Sequence, residues 1–178
     1  FREFMTVNRG TPKDVGITRI GDDNYFMAYS HIAHDCQVGS QVVFMNGVTL
    51  AGHCLVDDYV QISAFTGVHQ FCRIGRYAYI GGYSVITQDV LPFCKVAGGR
   101  PPLIYGANAL GLRRLGFSRE RIGAIKGMVR LVFFSDLNTT QAVERIDREY
   151  PPGEDRDAIL SFIRSSRRGL IKKPSSDE

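Results

Sequence analysis

The chain has 178 residues, of which 44% are hydrophobic and 22% charged, as expected for one globular domain or a domain with a small appendage. Its formal net charge of +4 favours an acidic partner but is too small to indicate nucleic acid binding. No segment approaches the roughly 18 consecutive apolar residues of a membrane-spanning helix, and the first residues lack the pattern of a secretory signal. We therefore expect a cytoplasmic protein without a membrane span.

A six-residue period governs the first half of the chain, between Ile20 and Leu91. Every sixth residue there is apolar, and a second, mostly small residue stands four positions after each. The first set is Ile20, Phe26, Ile32, Val38, Phe44, Leu50, Val56, Ile62, Val68, Ile74, Ile80 and Ile86. The second set is Asn24, Ser30, Cys36, Val42, Val48, Cys54, Val60, Thr66, Cys72, Ala78, Ser84 and Val90.

This pattern predicts a parallel β-helix with three short strands in each coil, because tight corners admit only small inward side chains. Three hexads make a coil of about 18 residues, and residues one coil apart then stack at the strand spacing of about 4.8 Å. The sequence can therefore be laid out as a grid of columns.

The period is interrupted at both ends. Residues 6–11 look like one further strand and corner, and residues 12–16 are predicted to form an inserted loop. Prolines and glycines between Pro92 and Pro102 mark the exit from the prism. We therefore place the β-helix at residues 1–97 and a helical domain at 98–172, followed by a polar tail at 173–178 that we expect to be frayed.

Three helices are predicted after the prism. Ser118 is a suitable N-cap for a helix that runs to about Phe134, Asn138 or Thr139 for a second, and Glu154 begins a third. Apolar residues at spacings of three and four mark their buried faces. These residues are Ile122, Ile125, Val129, Phe133, Ala142, Val143, Ile146, Ile159, Leu160 and Ile163.

Cys36, Cys54 and Cys72 fall in one inward column of the grid. Parallel side chains in a ladder have the wrong geometry for a disulfide, and three thiols in a straight row cannot surround a metal ion. We expect these cysteines to be small core residues.

The four histidines, His31, His34, His53 and His69, fall within three successive coils. The grid places Gly52 and Gln70 in one column with His34, and it places Asp35 beside His53. A group of imidazoles at one corner indicates a functional site, although solvated surface histidines are also common. Zinc sites on similar prisms, in one carbonic anhydrase family, use histidines five residues apart on one chain. That spacing is absent from this sequence, so we expect no metal.

Several strings then point to a family. They are HIAHDC at 31–36, LAGH at 50–53, VHQF at 68–71, NALGLRR at 108–114 and GFSRE at 116–120. Together they closely resemble the UDP-N-acetylglucosamine O-acyltransferases over nearly the whole chain. The resemblance implies a left-handed parallel β-helix of hexapeptide repeats followed by a C-terminal helical domain. It also implies that several coils of a typical member, with further substrate-binding residues, precede Phe1.

Members of this family transfer an (R)-3-hydroxyacyl group from acyl carrier protein to the 3-hydroxyl of UDP-N-acetylglucosamine, the first step of lipid A biosynthesis. The resemblance implies that His34 is the general base, that Asp35 orients its imidazole, and that the Gly52 amide binds the oxyanion. It also implies a homotrimer, and no cofactor beyond the phosphopantetheine arm of the donor, acyl carrier protein.

The resemblance assigns further residues to binding. Positions that match contacts to the nucleotide sugar or the donor are His31, His53, His69, Gln70, Asn108 and Arg114. Gly82 matches a position that borders the groove for the acyl tail, and its lack of a side chain favours long acyl chains. We expect arginines to attract the acidic carrier protein, namely Arg73, Arg76, Arg100, Arg113, Arg119 and Arg121.

Other interpretations stay open at this point. Asp35 and Gly82 are residue types that corners use for their backbone geometry, and Arg114 also suits a solvated helix face. Leu110 and Leu115 stand where family members often have an acidic and a basic residue. Two other functions are possible: a binding module that holds the nucleotide sugar or the carrier protein without turnover, and the related UDP-3-O-acylglucosamine N-acyltransferase.

Overall fold

The computed structural model describes residues 1–12 and 16–172, so the predicted frayed tail at 173–178 lies outside the described residues. Short strands form a three-sided prism, and helices follow it. The strands are β1 (Thr6–Val7), β2 (Arg19–Ile20), β3 (Tyr25–Phe26), β4 (His31–Ile32), β5 (Gln37–Val38), β6 (Val43–Phe44), β7 (Thr49–Leu50), β8 (Leu55–Val56), β9 (Gln61–Ile62), β10 (Gly67–Val68), β11 (Arg73–Ile74), β12 (Tyr79–Ile80), β13 (Val85–Ile86), β14 (Cys94–Ala97) and β15 (Leu103–Ala107). The helices are α1 (Ala109–Arg114), α2 (Arg119–Phe133), α3 (Thr139–Glu149) and α4 (Glu154–Ser165).

Three sheets form the sides of the prism. The first side has the order β1-β4-β7-β10-β13, the second β2-β5-β8-β11, and the third β3-β6-β9-β12-β14-β15. Paired residues such as Arg19 and Gln37, or His31 and Thr49, are 18 positions apart and parallel. The predicted coil length and the predicted fold class are confirmed.

The coil that contains β1 is longer than the others. Thr6 pairs with His31, an offset of 25 rather than 18 residues, so seven extra residues lie between β1 and β2. This insertion falls where the sequence predicts a loop, although residues 13–15 lie outside the described part of the chain.

Both columns of the hexads point inward. From Phe26 to Val90 no member of either column is more than 3% exposed, whereas Ile20 and Asn24 in the first coil are partly exposed. The buried hydroxyl groups of this core donate to backbone carbonyls, as in the bonds from Ser30 to Met27 (2.8 Å) and from Ser84 to Gly81 (2.7 Å). The core is therefore apolar with its few polar groups satisfied.

The cysteine column behaves as the sequence predicts. Cys36, Cys54 and Cys72 are buried and free, and none is in a disulfide. The Cys36 thiol lies 3.1 Å from the Ala51 carbonyl oxygen, and the Cys54 thiol 3.2 Å from that of His69. Burial raises the pKa of the Cys72 thiol to about 11, so this thiol stays protonated and unreactive at neutral pH.

Each corner of the prism turns through a residue with left-handed backbone geometry. The first corner (residues 33–36, 51–54 and 69–72) joins the first side to the second, and the second corner (39–42, 57–60 and 75–78) joins the second side to the third. The third corner (45–48, 63–66 and 81–84) returns to the first side. Most left-handed positions carry side chains rather than glycine, which is unfavourable for the backbone. Stacking between coils compensates, as in Tyr59 on Tyr77 (4.8 Å between ring centres) and Phe65 on Tyr83 (5.3 Å).

The region after the hexads contains a hairpin and a short helix that the sequence did not indicate. Strand β14 continues the third side by pairing in parallel with β12, and β15 returns antiparallel to it. The proposed boundary at residues 97 and 98 falls at the turn of this hairpin. Helix α1 follows with Asn108 as its N-cap. Prolines and glycines between residues 92 and 102 had indicated only an exit from the prism.

The three predicted helices are present. Ser118 caps α2, Asn138 caps α3 through a reciprocal capping box with Gln141, and α4 begins at Glu154. Phe117 contacts Tyr77 of the second corner edge-on at 5.1 Å, which packs the helical region against the prism. Within the described residues, no helix has the length and apolarity that crossing a membrane requires.

Phe44 tests the packing of the core. It is fully buried and its ring lies 4.8 Å from that of Phe26. Phe44→Ala should lower the free energy of unfolding by about 3–5 kcal/mol, because it removes buried area and leaves a cavity. The matched control is Phe4→Ala, whose ring is 75% exposed. Urea unfolding of both variants is the measurement, and equal losses would contradict the inward assignment of the column.

Candidate active site

Asp35 is the centre of a polar cluster at the first corner. It is 4% exposed and occupies the left-handed position of its coil, with φ of 58°. The Thr11 amide donates to both carboxylate oxygens, at 3.1 and 3.0 Å, and the Thr11 hydroxyl donates to Oδ2 at 2.7 Å. The Asp35 amide donates to the Thr18 hydroxyl oxygen at 2.9 Å. The segment between β1 and β2 therefore forms hydrogen bonds with both the side chain and the backbone of Asp35.

These contacts determine the charge of Asp35. Burial acts to raise the pKa of the carboxyl, but hydrogen bonds from Thr11 and His34, with the nearby His53, outweigh burial and lower it to about 2. Asp35 is therefore a carboxylate at neutral pH.

His34 is oriented by this carboxylate. Its Nδ1 lies 2.9 Å from Asp35 Oδ2, and its side chain is 41% exposed. A carboxylate only accepts hydrogen bonds, so Nδ1 of His34 carries the proton. In the neutral imidazole the other nitrogen, Nε2, is then unprotonated and able to act as a base.

Gly52 lies directly against the ring of His34, one coil further on. A Cβ added at Gly52 would lie 2.6 Å from Cε1 and 2.8 Å from Nε2 of His34, closer than real Cβ contacts. Its φ is not in the left-handed region, so the glycine is required here for space. Only glycine lets the backbone approach the basic nitrogen of His34.

His53 completes the cluster. Its Nε2 lies 4.0 Å from Asp35 Oδ2, and its ring meets His34 edge-on at 5.0 Å. Phe71, one coil further, stacks on His53 at 4.6 Å between ring centres. The predicted column of residues 35, 53 and 71 therefore consists of a carboxylate, an imidazole and an aromatic ring in contact.

Three other predicted residues border the same corner. His31 lies on β4, just before the corner, with Nδ1 2.8 Å from the Thr6 hydroxyl. His69 and Gln70 are exposed in the third coil of the corner, and His69 Nδ1 lies 3.2 Å from the Gln70 carbonyl oxygen.

Asn108, Arg114 and Gly82 are not part of this cluster within one chain. Asn108 caps α1 by accepting from the Gly111 amide (3.2 Å), and it donates to the Tyr77 carbonyl (3.0 Å) at the second corner. Arg114 is exposed at the end of α1. Gly82 is exposed at the third corner, where an added Cβ would lie 3.2 Å from the Ala64 carbonyl oxygen.

The cluster also has the residue types found in metal sites. Nitrogen or oxygen atoms of His34, Asp35 and His53 all lie within 4.8 Å of one another. However, Asp35 Oδ2 already accepts bonds from the Thr11 amide, the Thr11 hydroxyl and His34. The arrangement therefore favours proton transfer over binding of a cation.

Sequence reasoning missed the contribution of Thr11, Thr18 and Phe71. Phe71 falls in the predicted column, so its contact with His53 could have been read from the 18-residue spacing. Thr11 could not be placed, because the insertion breaks the period between β1 and β2.

Comparison with known proteins agrees with these features. A family model described as UDP N-acetylglucosamine O-acyltransferase, domain 2, matches residues 89–171, and a bacterial transferase hexapeptide model matches residues 17–52. An acyl-(acyl-carrier-protein)-UDP-N-acetylglucosamine O-acyltransferase of Anaeromyxobacter sp. is 43% identical over 97% of this chain and 66% of its own length. One of Stenotrophomonas maltophilia is 47% identical over 97% of this chain and 65% of its own length. The chain thus spans slightly less than two thirds of these curated relatives.

Solved structures give the same result. The Francisella novicida UDP-N-acetylglucosamine acyltransferase matches with a TM-score of 0.94 and 37% identity, over 98% of this chain and 64% of its own. The Campylobacter jejuni UDP-N-acetylglucosamine acyltransferase matches with a TM-score of 0.91 and 34% identity, over 97% of this chain and 67% of its own. The chain therefore belongs to the UDP-N-acetylglucosamine O-acyltransferase family.

Proposed function

We propose that the protein transfers an (R)-3-hydroxyacyl group from acyl carrier protein to the 3-hydroxyl of UDP-N-acetylglucosamine, the first step of lipid A biosynthesis. The observation that carries this proposal is the His34-Asp35 pair, joined at 2.9 Å, with the Gly52 backbone against the free nitrogen of His34. The names of the relatives supply the acceptor and the donor.

In the proposed mechanism, Nε2 of His34 removes the proton of the sugar hydroxyl as its oxygen attacks the thioester carbonyl carbon. Asp35 holds the ring and stabilises the imidazolium that forms, as the carboxylate does in hydrolytic triads. The tetrahedral intermediate then collapses, the C–S bond breaks, and the imidazolium returns its proton to the thiolate of the phosphopantetheine arm. The products are the 3-O-acyl sugar nucleotide and the free carrier thiol, and no further cofactor is needed.

Gly52 is the proposed donor to the oxyanion of that intermediate. Its amide has no hydrogen-bond acceptor among residues 1–12 and 16–172, and its backbone is next to the proposed base. An N–H held in this position meets developing negative charge without reorganisation. His31, His53, His69 and Gln70 surround the same corner and are the proposed contacts to the sugar, its phosphates or the donor arm.

We also propose that the site is completed between chains of a homotrimer. His34, Asn108 and Gly82 lie at three different parts of one prism, so one chain cannot bring them to a single substrate. The third corner, which carries Gly82, also exposes an aromatic column in which Phe65 is 57% and Tyr83 72% exposed. A cyclic assembly places the first corner of one prism against another face of its neighbour and covers this column.

The proposed carrier-protein surface is smaller than the sequence suggests. Arg76 pairs with Glu154, Arg121 with Asp155, and Arg73 packs on Phe162 and donates to Ser165. These three arginines hold the helices against the prism and each other. Arg100, Arg113 and Arg119 remain as exposed positive charges for an acidic partner, with Arg114 beside them.

The first prediction concerns the base. His34→Ala should lower turnover by about 10²- to 10⁴-fold, because a positioned general base is lost. The matched control is Asn46→Ala, which changes the equivalent position of the third corner. Release of free carrier thiol from acyl carrier protein, with UDP-N-acetylglucosamine as acceptor, is the measurement.

Each outcome of this assay has a clear meaning. Turnover of His34→Ala within about tenfold of the unmutated chain would refute the assignment of the base. An unmutated chain that binds UDP-N-acetylglucosamine without releasing thiol would be a binding module. Turnover only with an amine acceptor would indicate the related N-acyltransferase.

Gly82 provides a test of the acyl groove. Gly82→Met should shift the preferred donor to acyl chains shorter by about three to four carbons, because each methylene that loses burial forfeits about 0.8 kcal/mol. Competition between a long and a shorter donor gives the ratio directly. An unchanged ratio would contradict the groove, and an active monomer by light scattering would contradict its position between chains.

The next prediction concerns the exposed arginines proposed to attract acyl carrier protein. Arg113→Glu with Arg119→Glu should raise the KM for acyl carrier protein and make that KM less dependent on salt. The reason is that the lost attraction is electrostatic, and salt at 0.1 M screens such attraction beyond about 10 Å. The control is Arg145→Glu with Arg148→Glu on α3, which changes the net charge by the same amount and whose side chains are 46% and 74% exposed. If both proteins respond equally, the effect comes from net charge and this surface is not the docking site.

A further inference from the structure

We propose that Thr11 is a positioning residue of the active site, because its amide and hydroxyl hold the Asp35 carboxylate in the orientation that accepts a hydrogen bond from His34. This inference rests on the proposed function for its effect on turnover. No hydrogen bond joins Thr11 to His34 within the described residues, so Thr11 acts through Asp35.

The contacts of the carboxylate support this role. Thr11 donates to Oδ1 at 3.1 Å through its amide and to Oδ2 at 3.0 and 2.7 Å through its amide and hydroxyl. With both oxygens engaged, the carboxylate cannot rotate without losing at least one bond. His34 then meets Oδ2 at 2.9 Å, so the position of the imidazole follows from the position of Thr11.

Thr11 lies in the segment between β1 and β2, which has seven residues more than the corresponding segments of the other coils. Its amide and hydroxyl both reach Asp35. Thr18, at the other end of the insertion, accepts from the Asp35 amide at 2.9 Å. The segment contacts Asp35 from both of its described ends, which points to a role beyond linking two strands.

The ionisation of Asp35 gives a readout that needs no turnover. The ionisable side chains facing this carboxylate among the described residues are His34, at 2.9 Å, and His53, at 4.0 Å. Neither histidine is substituted in the Thr11 variants. The Thr11 hydroxyl donates a hydrogen bond that stabilises the ionised carboxylate of Asp35 more than the protonated carboxyl. Loss of this hydroxyl should therefore raise the pKa of Asp35 from about 2. The expected rise is about one unit.

The experiment compares Thr11→Val, Thr11→Ala and Thr11→Ser with the unmutated full chain. Carboxyl carbon NMR of Asp35, followed from pH 6 to pH 3.5, measures its ionisation, and the thiol-release assay measures kcat and KM. The control is Thr66→Val, which also removes a hydroxyl bond, here 3.1 Å to the Gly81 carbonyl, but at the third corner. Urea unfolding shows that each variant is folded.

In Thr11→Val and Thr11→Ala we expect Asp35 to begin to be protonated between pH 6 and pH 3.5. We also expect kcat to fall about tenfold or more, with KM nearly unchanged. Thr11→Ser should keep both properties, and Thr66→Val should lose stability alone.

Identical ionisation of Asp35 in Thr11→Val and the unmutated chain would overturn the proposal. So would a Thr11→Ser variant as impaired as Thr11→Val, or a loss confined to KM. If the unmutated chain itself shows no turnover, the proposed function fails, while the NMR comparison still decides whether Thr11 holds Asp35. If the valine variant does not fold, the alanine and serine variants decide by the same readouts.

Discussion

The 18-residue register of the backbone hydrogen bonds between coils determines most of this structure. His31 N donates to Val48 O, Thr49 N to Thr66 O and Gly67 N to Ser84 O, so each coil lies directly on the next. A prism with such short sides has no room for irregular packing, and inward side chains must repeat in size. The same register stacks outward side chains at corners. The polar cluster arises because His34 is above Gly52 and Asp35 above His53.

Hydrogen-bond donors from outside the regular stacking explain how a buried carboxylate is tolerated. An ionised Asp35 removed from water is costly unless donors surround it. Thr11 and His34 supply these donors, and the resulting low pKa keeps the carboxylate charged. The polar network thus stabilises the buried charge at the corner, and it also determines which nitrogen of His34 carries the proton. Structural and chemical demands on these residues coincide.

The prism separates its chemistry among different corners. His34, the proposed base, and its partners occupy the first corner, Asn108 is anchored at the second, and Gly82 lies at the third. A rigid solenoid cannot fold these corners toward one another, because each is fixed by the coils above and below. This separation supports the proposed assembly of several chains, in which neighbouring prisms would enclose a substrate that one convex corner leaves open.

The sequence alone determined the repeat, the inward columns and the grouping of histidines, because the hexad period maps linear spacing directly onto spatial stacking. It also indicated the helices, since Ser118 and Asn138 have local capping chemistry that does not depend on the rest of the chain. The hairpin of β14 and β15 and the contacts of Thr11 required the tertiary structure. Both lie where the period is broken, so position along the chain no longer predicts position in space. Only the folded molecule shows that Thr11 forms hydrogen bonds with Asp35. Likewise, only the structure shows that the ring of His34 leaves no space for a side chain at position 52, which must therefore be glycine.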